Sequence, residues 1–251
     1  MKPKGYALFD LDHTLLPHDT QALFCNWVLK QHRWRVLLHL VFLPFGVLRA
    51  LRLISTLRAK RAFLGYLAGL SRKRLDQLAL TFAEKSVVPW AYPDLMDELE
   101  RHRAEGRVLI LNTASPDFYA RAIADAFGFD HCICTRTVMG DPIHLHPQIA
   151  TNNKHEAKIP AMLHRVPELG ELSEDDRNDT CWAYSDSAAD LPLLRFGGSA
   201  VVIHPSPKLA TLAIRNEWSL IHPKRPYRGR IGNALAMLRQ VLGIYPVKPV
   251  A

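Results

Sequence analysis

Residues 5–16 read Gly-Tyr-Ala-Leu-Phe-Asp-Leu-Asp-His-Thr-Leu-Leu, and this stretch decides the fold. Its apolar run, Tyr6 to Phe9, predicts a short buried β-strand. Two carboxylates separated by one residue, Asp10 and Asp12, follow at the carboxyl end of that strand, where open α/β sheets bind their ligands. Two acids at a strand tip repel each other unless a cation or a shared proton lies between them. The stretch therefore indicates a metal site, a proton-transfer site or both; the alternative is a solvated turn, where Asp and His are common.

The chain has 251 residues, 48% of them hydrophobic and 22% charged, which allows one large domain or a domain with an insertion. Residues 1–4 run directly into the first strand without a charged and then apolar leader, so no secretory signal is expected. The four cysteines are scattered, and Cys132 and Cys134 have neither a zinc-site nor a redox-pair spacing. These features are typical of a cytoplasmic protein with reduced thiols.

The net charge of +8 is concentrated in one segment. Residues 17–85 carry twelve Lys and Arg against three acids, a net charge of +9, so the remainder of the chain sums to −1. A basic protein suggests nucleic acid or an anionic surface as partner. Because the positive charge belongs to one segment, we expect an anionic surface and no nucleic acid.

That basic segment also contains an apolar stretch. Residues 36–48 carry no Lys, Arg, Asp or Glu, but a membrane span needs about 20 apolar residues, and Pro44 and Gly46 interrupt a single helix. A buried helical hairpin or an interfacial segment fits this length better than a span. Basic and apolar residues alternate through 34–74, which suits the surface of an anionic bilayer, where each Lys or Arg is worth about 1 kcal/mol. The alternative is a solvated basic helical face over a private core.

Three later segments place polar side chains at predicted strand ends or helix starts. The strand predicted from residue 107 ends in Thr113 and Ser115 before a helix over 117–127, an arrangement that suits a phosphate. A helix predicted to open at residue 152 offers Lys154 and Lys158 one turn apart, of which only one need face the site. Residues 180–194 repeat the opening design, with a strand that runs into Asp186 and a second acid, Asp190, four residues on.

The remaining pattern predicts further elements. Strands are expected over 130–138, 200–203 and 219–221, a hairpin arm over 143–146, a solvated acidic loop over 167–179, and helices over 207–216 and 231–242.

The chain order of these groups carries a resemblance. The motifs are Phe-Asp-Leu-Asp-His-Thr-Leu at 9–15, Leu-Asn-Thr-Ala-Ser at 111–115, Lys158, and Tyr-Ser-Asp-Ser-Ala-Ala-Asp-Leu-Pro-Leu-Leu at 184–194. In them the chain resembles the haloacid dehalogenase (HAD) superfamily over residues 5–222, in particular its phosphoserine-phosphatase-like branch with a helical cap. It looks most like the bacterial phosphatidylglycerophosphatases of that branch, whose caps also carry an apolar, Pro-containing stretch followed by basic residues.

The resemblance implies an α/β fold, a Rossmann-like and mainly parallel doubly wound sheet with an inserted all-α cap. The implied division is a catalytic core of residues 1–16 and 87–222, a cap of residues 17–86, and a basic tail of residues 223–251 with an amphipathic helix. A homodimer is left open.

The resemblance also implies roles for the site residues. Asp10 would be the nucleophile that forms an aspartyl phosphate, and Asp12 the general acid and base. Asp10, the backbone carbonyl of Asp12, and Asp186 would hold Mg²⁺, while Asp190 would orient the lysine or reach the metal through water. Thr113 would donate to the phosphoryl group, and Lys158 would neutralise its charge. Lys154 is the alternative to Lys158. Substrate contacts are further expected from Ser115, Asp19, Arg58 and Arg61.

Three positions bear on the substrate. His13 stands where many relatives have Gly, Ala189 where phosphoserine phosphatases have Asn, and Asp19 where those enzymes have an acid that holds the substrate amine. The favoured hypothesis is a phosphatase of a phospholipid head group such as phosphatidylglycerophosphate, peripheral at the inner face of the membrane. The alternatives are a phosphatase of a small soluble ester, phosphoserine or histidinol phosphate, and a non-catalytic membrane-binding module.

Overall fold

The computed structural model of the protein describes residues 4–249. Two short segments lie outside this range. They are residues 1–3, part of the start for which no secretory signal is expected, and residues 250–251, the end of the predicted tail. Within it, seven strands form one sheet in the order β4-β3-β2-β1-β5-β6-β7. The strands are β1 Tyr6–Phe9, β2 Val108–Pro116, β3 His131–Val138, β4 Gln148–Thr151, β5 Cys181–Ser185, β6 Ser199–Ile203 and β7 Ser219–Ile221.

Helices lie between the strands and after the last one. They are α1 Thr20–Gln31, α2 His39–Ala50, α3 Thr56–Phe63, α4 Arg72–Phe82, α5 Val88–Trp90, α6 Pro93–Ala104, α7 Asp117–Phe127, α8 Lys158–Arg165, α9 Glu174–Thr180, α10 Leu191–Phe196, α11 Pro207–Arg215 and α12 Gly229–Val241. All strand pairs are parallel except that of β3 with β4. The predicted α/β class and the mainly parallel, doubly wound sheet are confirmed.

Strand β1 is the centre of the sheet and is covered on both faces. Ala7 and Phe9 pack into one hydrophobic cluster with α1, α4, α6 and α7, while Tyr6 and Leu8 pack into a second cluster with α8, α10 and α11. Successive side chains of a strand point to opposite faces, so a run of four apolar residues is what a strand buried on both sides requires.

The order of the strands reverses beside β1. The chain moves from β1 to β2 and β3 on one side, and later from β5 to β6 and β7 on the other. Loops at the carboxyl ends of β1, β2 and β5 therefore diverge and leave a crevice between them, the usual ligand site of such sheets. The carboxylates that follow β1 lie at this crevice.

Helices α1 to α6 lie between β1 and β2, and α1 to α4 lie within the basic segment of residues 17–85. The expectation of a buried hairpin over 36–48 is wrong, because residues 33–38 form a 3₁₀ turn and no residue of α2 is buried. Leu40 is 67% exposed and Leu43 61%. The interfacial interpretation of this segment stays a prediction. Among residues 4–249, the helices are all too short or too polar to cross a membrane.

Three smaller expectations also differ from the structure. The antiparallel arm beside β3 is β4 and not residues 143–146, because residues 140–145 form turns and irregular backbone. Within the predicted loop of 167–179, helix α9 forms because Ser173 and Asp176 make a capping box. Regular helix begins at residue 158, after a 3₁₀ turn, and not at residue 152.

Helix α12 packs against α1 and follows the predicted basic segment of the tail. The side chain of Asn26 donates to the backbone carbonyl of Tyr245 at 3.1 Å, and the backbone N–H of Tyr245 donates back to Asn26 at 3.1 Å. The segment around Tyr245 is thus held on α1, the helix that begins directly beside the crevice.

Candidate active site

Asp10 lies at the carboxyl end of β1 and is 6% exposed. The ammonium of Lys158 donates to its Oδ1 at 2.7 Å, and the Thr14 hydroxyl donates to its Oδ2 at 3.2 Å. The backbone N–H of Asp10 donates to the carbonyl of Tyr184 in β5, which fixes the point where the chain leaves the strand. Asp10 is therefore a buried carboxyl group with a charged donor directed at it.

Asp12 is held between the start of α1 and the end of β2. The backbone N–H of Thr20 donates to its Oδ1 at 2.7 Å, and the Ser115 hydroxyl donates to its Oδ2 at 2.8 Å. The helix begins here because Asp19 caps it by accepting from the N–H of Ala22 at 3.0 Å. A side chain held by donors from two elements keeps one orientation toward the cavity.

Lys158 is the buried cation of the site. Its ammonium lies 2.7 Å from Asp10 and 2.8 Å from Asp190, and its side chain is 2% exposed. Burial opposes its charged form, but the two carboxylates outweigh burial and raise the pKa of Lys158 above its ordinary value. The second oxygen of Asp190 accepts from the Ser185 hydroxyl at 2.8 Å. Asp190 is thus placed to orient Lys158, one of the two roles expected of it.

Lys154 lies on the rim of the same cavity and is exposed. Within the described part of the chain, its side chain forms no ion pair. Only Lys158 of the two candidate lysines therefore contacts Asp10.

The carboxylates crowd one another enough to resist ionisation. The pKa of Asp10 is raised to about 7: burial raises it most, Lys158 lowers it, and Asp190 and Asp12 raise it. Burial, followed by Asp10, Asp190 and Asp12, raises the pKa of Asp186 to about 8. Lys158 contacts Asp10 and Asp190, and Arg225 lowers the pKa of Asp186, but a further positive charge would relieve the repulsion that remains.

The oxygen donors present suit a hard divalent cation. Residues 4–249 contain no group of three or more His, Cys, Asp or Glu side chains that would hold a metal ion unaided. Mg²⁺ does not need one, because it commonly takes one or two carboxylates and keeps several waters or substrate oxygens. Asp10, Asp12 and Asp186 line the cavity and offer oxygen donors of that type, so the expectation that Asp10, Asp186 and the backbone carbonyl of Asp12 hold Mg²⁺ stays a prediction.

The hydroxyl residues at the end of β2 are placed differently from each other. Ser115 lines the cavity, whereas Thr113 is fully buried and its Oγ1 accepts from the Ser115 N–H at 3.1 Å. The backbone of Ala114 lines the cavity between them. In this arrangement Ser115 is the hydroxyl nearer to a ligand, and a donor role for Thr113 stays a prediction.

A cavity of about 810 Å³ contains these groups. Asp19 lines it, as expected, but Arg58 and Arg61 do not, and Arg61 donates to the carbonyl of Pro147 instead. The cation that α3 directs into the cavity is Lys60, whose ammonium donates to the carbonyl of Ala114 at 2.8 Å. Thr56, Leu57, Lys60 and Phe63 share one helix face, so helical spacing from the apolar residues could have singled out Lys60.

Two unusual positions also line the cavity. His13 has a φ of 59°, a left-handed conformation that explains why Gly is common at such a position and in which His is tolerated better than most side chains. Its Nδ1 lies 3.1 Å from the carbonyl of Pro17. Ala189 also lines the cavity, with a methyl group where phosphoserine phosphatases have an amide.

The chain matches the family model described as haloacid dehalogenase-like hydrolase over residues 7–195. A probable phosphatase of Mycobacterium tuberculosis (strain ATCC 25618 / H37Rv) is 26% identical over 239 residues, which cover 88% of this chain and 76% of that protein. A histidinol-phosphatase of Neisseria meningitidis serogroup C is 23% identical over 241 residues, 88% of this chain and all of that protein.

Solved structures share the fold. A protein of unknown function from Bordetella pertussis Tohama I has a TM-score of 0.68 and 27% identity, with coverage of 86% of this chain and 97% of that one. A phosphoserine phosphatase with a phospho-aspartyl intermediate analogue has a TM-score of 0.56 and 14% identity, with coverage of 89% and 95%. At that identity the second likeness concerns the fold alone.

Proposed function

The chain belongs to the haloacid dehalogenase-like hydrolase family and is a phosphatase of that family, and we propose that it hydrolyses phosphomonoesters with Mg²⁺ through an aspartyl phosphate on Asp10. The observation that carries the proposal is the buried contact of Asp10 with Lys158, which Asp190 supports from the other side. A carboxylate nucleophile beside a cation is what attack on an anionic phosphoryl group requires.

In the first step, a carboxylate oxygen of Asp10 forms a bond to phosphorus and the bond from phosphorus to the ester oxygen breaks. Asp12, protonated at that point, gives its proton to the leaving alkoxide. In the second step, Asp12 takes a proton from water, the water oxygen attacks phosphorus, and inorganic phosphate leaves Asp10 regenerated. Lys158 offsets the negative charge on the phosphoryl oxygens throughout.

When bound, Mg²⁺ would supply positive charge opposite the phosphoryl oxygens and relieve the carboxylate repulsion. Asp10, Asp186 and the carbonyl of Asp12 would hold it. The raised pKa values of Asp10 and Asp186 support this assignment, because a group of acids that resists ionisation is stabilised by a cation.

For the substrate, we favour a phospholipid head-group phosphate such as phosphatidylglycerophosphate, presented at an anionic bilayer. The support is the exposed apolar surface of α2, which leads into Arg49 and Arg52 in a stretch, residues 20–75, without Asp or Glu. Such a surface adsorbs to anionic lipid without a span. We further propose that residues 17–86 act as a cap and that residues 223–251 form a separate tail segment; a homodimer stays a prediction.

A small soluble ester is an equally supported alternative. The histidinol-phosphatase relative and the phosphoserine phosphatase structure favour it by analogy. Asp19 lies in the cavity, where an acid could meet a substrate amine, although its Oδ1 already caps α1. The third hypothesis, a non-catalytic module, has no support, since the chain belongs to a hydrolase family and retains the full set of charged residues.

Hydrolysis of p-nitrophenyl phosphate with Mg²⁺ tests the reaction. We expect turnover in the wild type and none above background in Asp10→Asn, which keeps the side-chain volume but removes the nucleophile. No turnover in the wild type would contradict the proposal. A screen of phosphatidylglycerophosphate, phosphoserine and histidinol phosphate then ranks the substrates, and co-sedimentation with anionic vesicles at low salt tests the bilayer contact.

A further inference from the structure

The cavity that holds Asp10 and Lys158 is lined by apolar as well as charged side chains. The apolar side chains come from two parts of the chain, Phe42 and Phe63 from α2 and α3 on one side and Met237 and Val241 from α12 on the other. The family match covers residues 7–195, so these last two residues lie outside the matched range. We refer to Phe42, Leu57, Phe63, Met237 and Val241 as the apolar wall.

The apolar wall is held in place from both sides. Met237 and Val241 are four residues apart and therefore share one face of α12. The Nε2 of His39, at the start of α2, donates to the carbonyl of Val241 at 2.9 Å, which joins the two sides of the wall. The rings of Phe42 and Phe63 pack edge to face with their centroids 5.3 Å apart. The wall is thus a preformed surface.

The side chains of the apolar wall stay partly exposed to the cavity and are not enclosed by one another as core side chains are. Met237 is 38% exposed and Leu57 is also 38% exposed, although each has apolar neighbours across the same cavity. A volume of about 810 Å³ is in the range of pockets that enclose drug-sized ligands, and a phosphoryl group fills only a small part of it. The remaining space faces apolar side chains that would gain from contact with an apolar occupant.

From this juxtaposition we infer that the leaving group of the substrate carries an apolar chain, which lies on the apolar wall, and that α12 sets this selectivity. The inference rests on the proposed phosphatase activity, because the phosphoryl group bound at Asp10 is what places the apolar chain of the substrate on the wall. Lys60 and Lys154 line the same cavity and can pair with a further negative charge of the leaving group. The substrate class is an amphipathic phosphomonoester.

A series of straight-chain alkyl phosphates tests the inference. We measure kcat/KM for ethyl, butyl, hexyl and octyl phosphate as monomers, with p-nitrophenyl phosphate as a reference. Each methylene that leaves water completely is worth up to about fourfold, so we expect octyl phosphate to exceed ethyl phosphate by more than tenfold. A ratio near one in the wild type would overturn the inference.

Substitutions in α12 distinguish a specific effect of the apolar wall on chain-length selectivity from a general effect of changing the helix. Met237→Gln places a polar group of similar length on the wall and should lower the octyl-to-ethyl ratio at least threefold. Leu238→Gln is the matched control, since Leu238 is adjacent, 54% exposed and outside the cavity lining. Its ratio should equal that of the wild type. Equal ratios in both variants would contradict a role for Met237, and thermal melts verify that both variants fold.

The outcomes also separate the two levels of inference. If no phosphomonoester is hydrolysed, including p-nitrophenyl phosphate, the phosphatase proposal fails. If p-nitrophenyl phosphate is hydrolysed but the chain-length series is flat, only the apolar wall fails. If the protein hydrolyses phosphatidate in phosphatidylcholine vesicles as well as octyl phosphate, the apolar chain of the substrate belongs to a membrane lipid. If it hydrolyses octyl phosphate alone, the substrate is a dissolved amphiphile. Both results support binding of an apolar chain on the apolar wall.

Discussion

Replacement of Lys158 by Met tests whether the buried Lys158, and not the exposed Lys154, is the lysine that acts on Asp10. The change keeps the aliphatic length and removes the cation that lies 2.7 Å from Asp10 and 2.8 Å from Asp190. Loss of one partner from a buried ion pair costs about 3–5 kcal/mol, which corresponds to roughly 6–20 °C in Tm for a chain of this size. The cost should be smaller at pH 5 than at pH 8, because the stranded carboxyl groups can then take up protons.

Catalysis should suffer independently of stability. A positioned charge that stabilises phosphoryl oxygens is worth about 10²–10³ in kcat. Lys158 also lowers the pKa of Asp10, so its removal leaves less of the carboxylate form at neutral pH. We therefore expect kcat for p-nitrophenyl phosphate to fall at least a hundredfold at pH 7, with the acid limb of the rate profile shifted to higher pH.

Lys154→Met is the control for this experiment. Lys154 lines the rim and makes no ion pair within the part of the chain that the structure describes, so we expect kcat within tenfold of the wild type and an unchanged Tm. The reasoning is refuted if Lys154→Met loses the hundredfold and Lys158→Met does not. It is also refuted if Lys158→Met retains both its activity and its Tm.

Asp190→Asn should lower kcat by on the order of 10²-fold, because Lys158 loses one of its two carboxylate partners and with it its fixed position. The alkaline limb of the pH–rate profile should also move to lower pH. An unshifted limb would argue against a positioning role of Asp190. The raised pKa values of Asp10 and Asp186, about 7 and about 8 against about 4 in the unfolded chain, mean that the stability these groups contribute is present below pH 4 and is lost as the pH rises to 8. Mg²⁺ should therefore raise Tm more at pH 8 than at pH 5, as thermal melts with and without EDTA would show; an equal rise at both pH values would contradict the metal assignment. The effect of His18 on the pH dependence of stability has the opposite sign. Its side chain is 1% exposed, and burial lowers its pKa to about 3. The stability that the neutral His18 contributes is therefore lost as the pH falls below 6.5, by about 2 kcal/mol at pH 5. Removing this proton uptake by His18→Phe should lessen the fall in Tm between pH 8 and pH 5 by roughly 4–8 °C, and an identical fall in both proteins would show that His18 is not the acid-sensitive group.

The central strand and the chain order of the charged residues could be predicted because both are local properties. Four apolar residues before Asp10 can only be accommodated on both faces of a sheet, and an acid directly after a strand must lie at its carboxyl end. The same reasoning applied to the strand before Asp186. These signals depend on neighbours in sequence and survive without knowledge of the packing.

The insertion was predicted less well because its faces depend on what lies opposite. The apolar stretch over 36–48 looks the same in sequence whether it is buried or exposed, and only the tertiary structure leaves α2 without a buried residue. Positive charge alone favours Arg58 and Arg61 as substrate contacts, but the orientation of α3 places Lys60 in the cavity instead. A rotation of one residue along a helix turns a side chain by about 100°, which composition alone does not reveal.

By itself, the sequence determined the α/β class, the central strand and the place of the acids, because Asp10, Asp12 and Asp186 follow directly from strands and therefore line one cavity at the carboxyl edge of the sheet. Only the tertiary structure decided which lysine meets Asp10, since the sequence favours Lys158 with Lys154 as the alternative, and it is Lys158 that is buried between Asp10 and Asp190. It also decided that α12, more than two hundred residues after β1, reaches the same cavity. Contacts between distant segments depend on packing that no local pattern encodes.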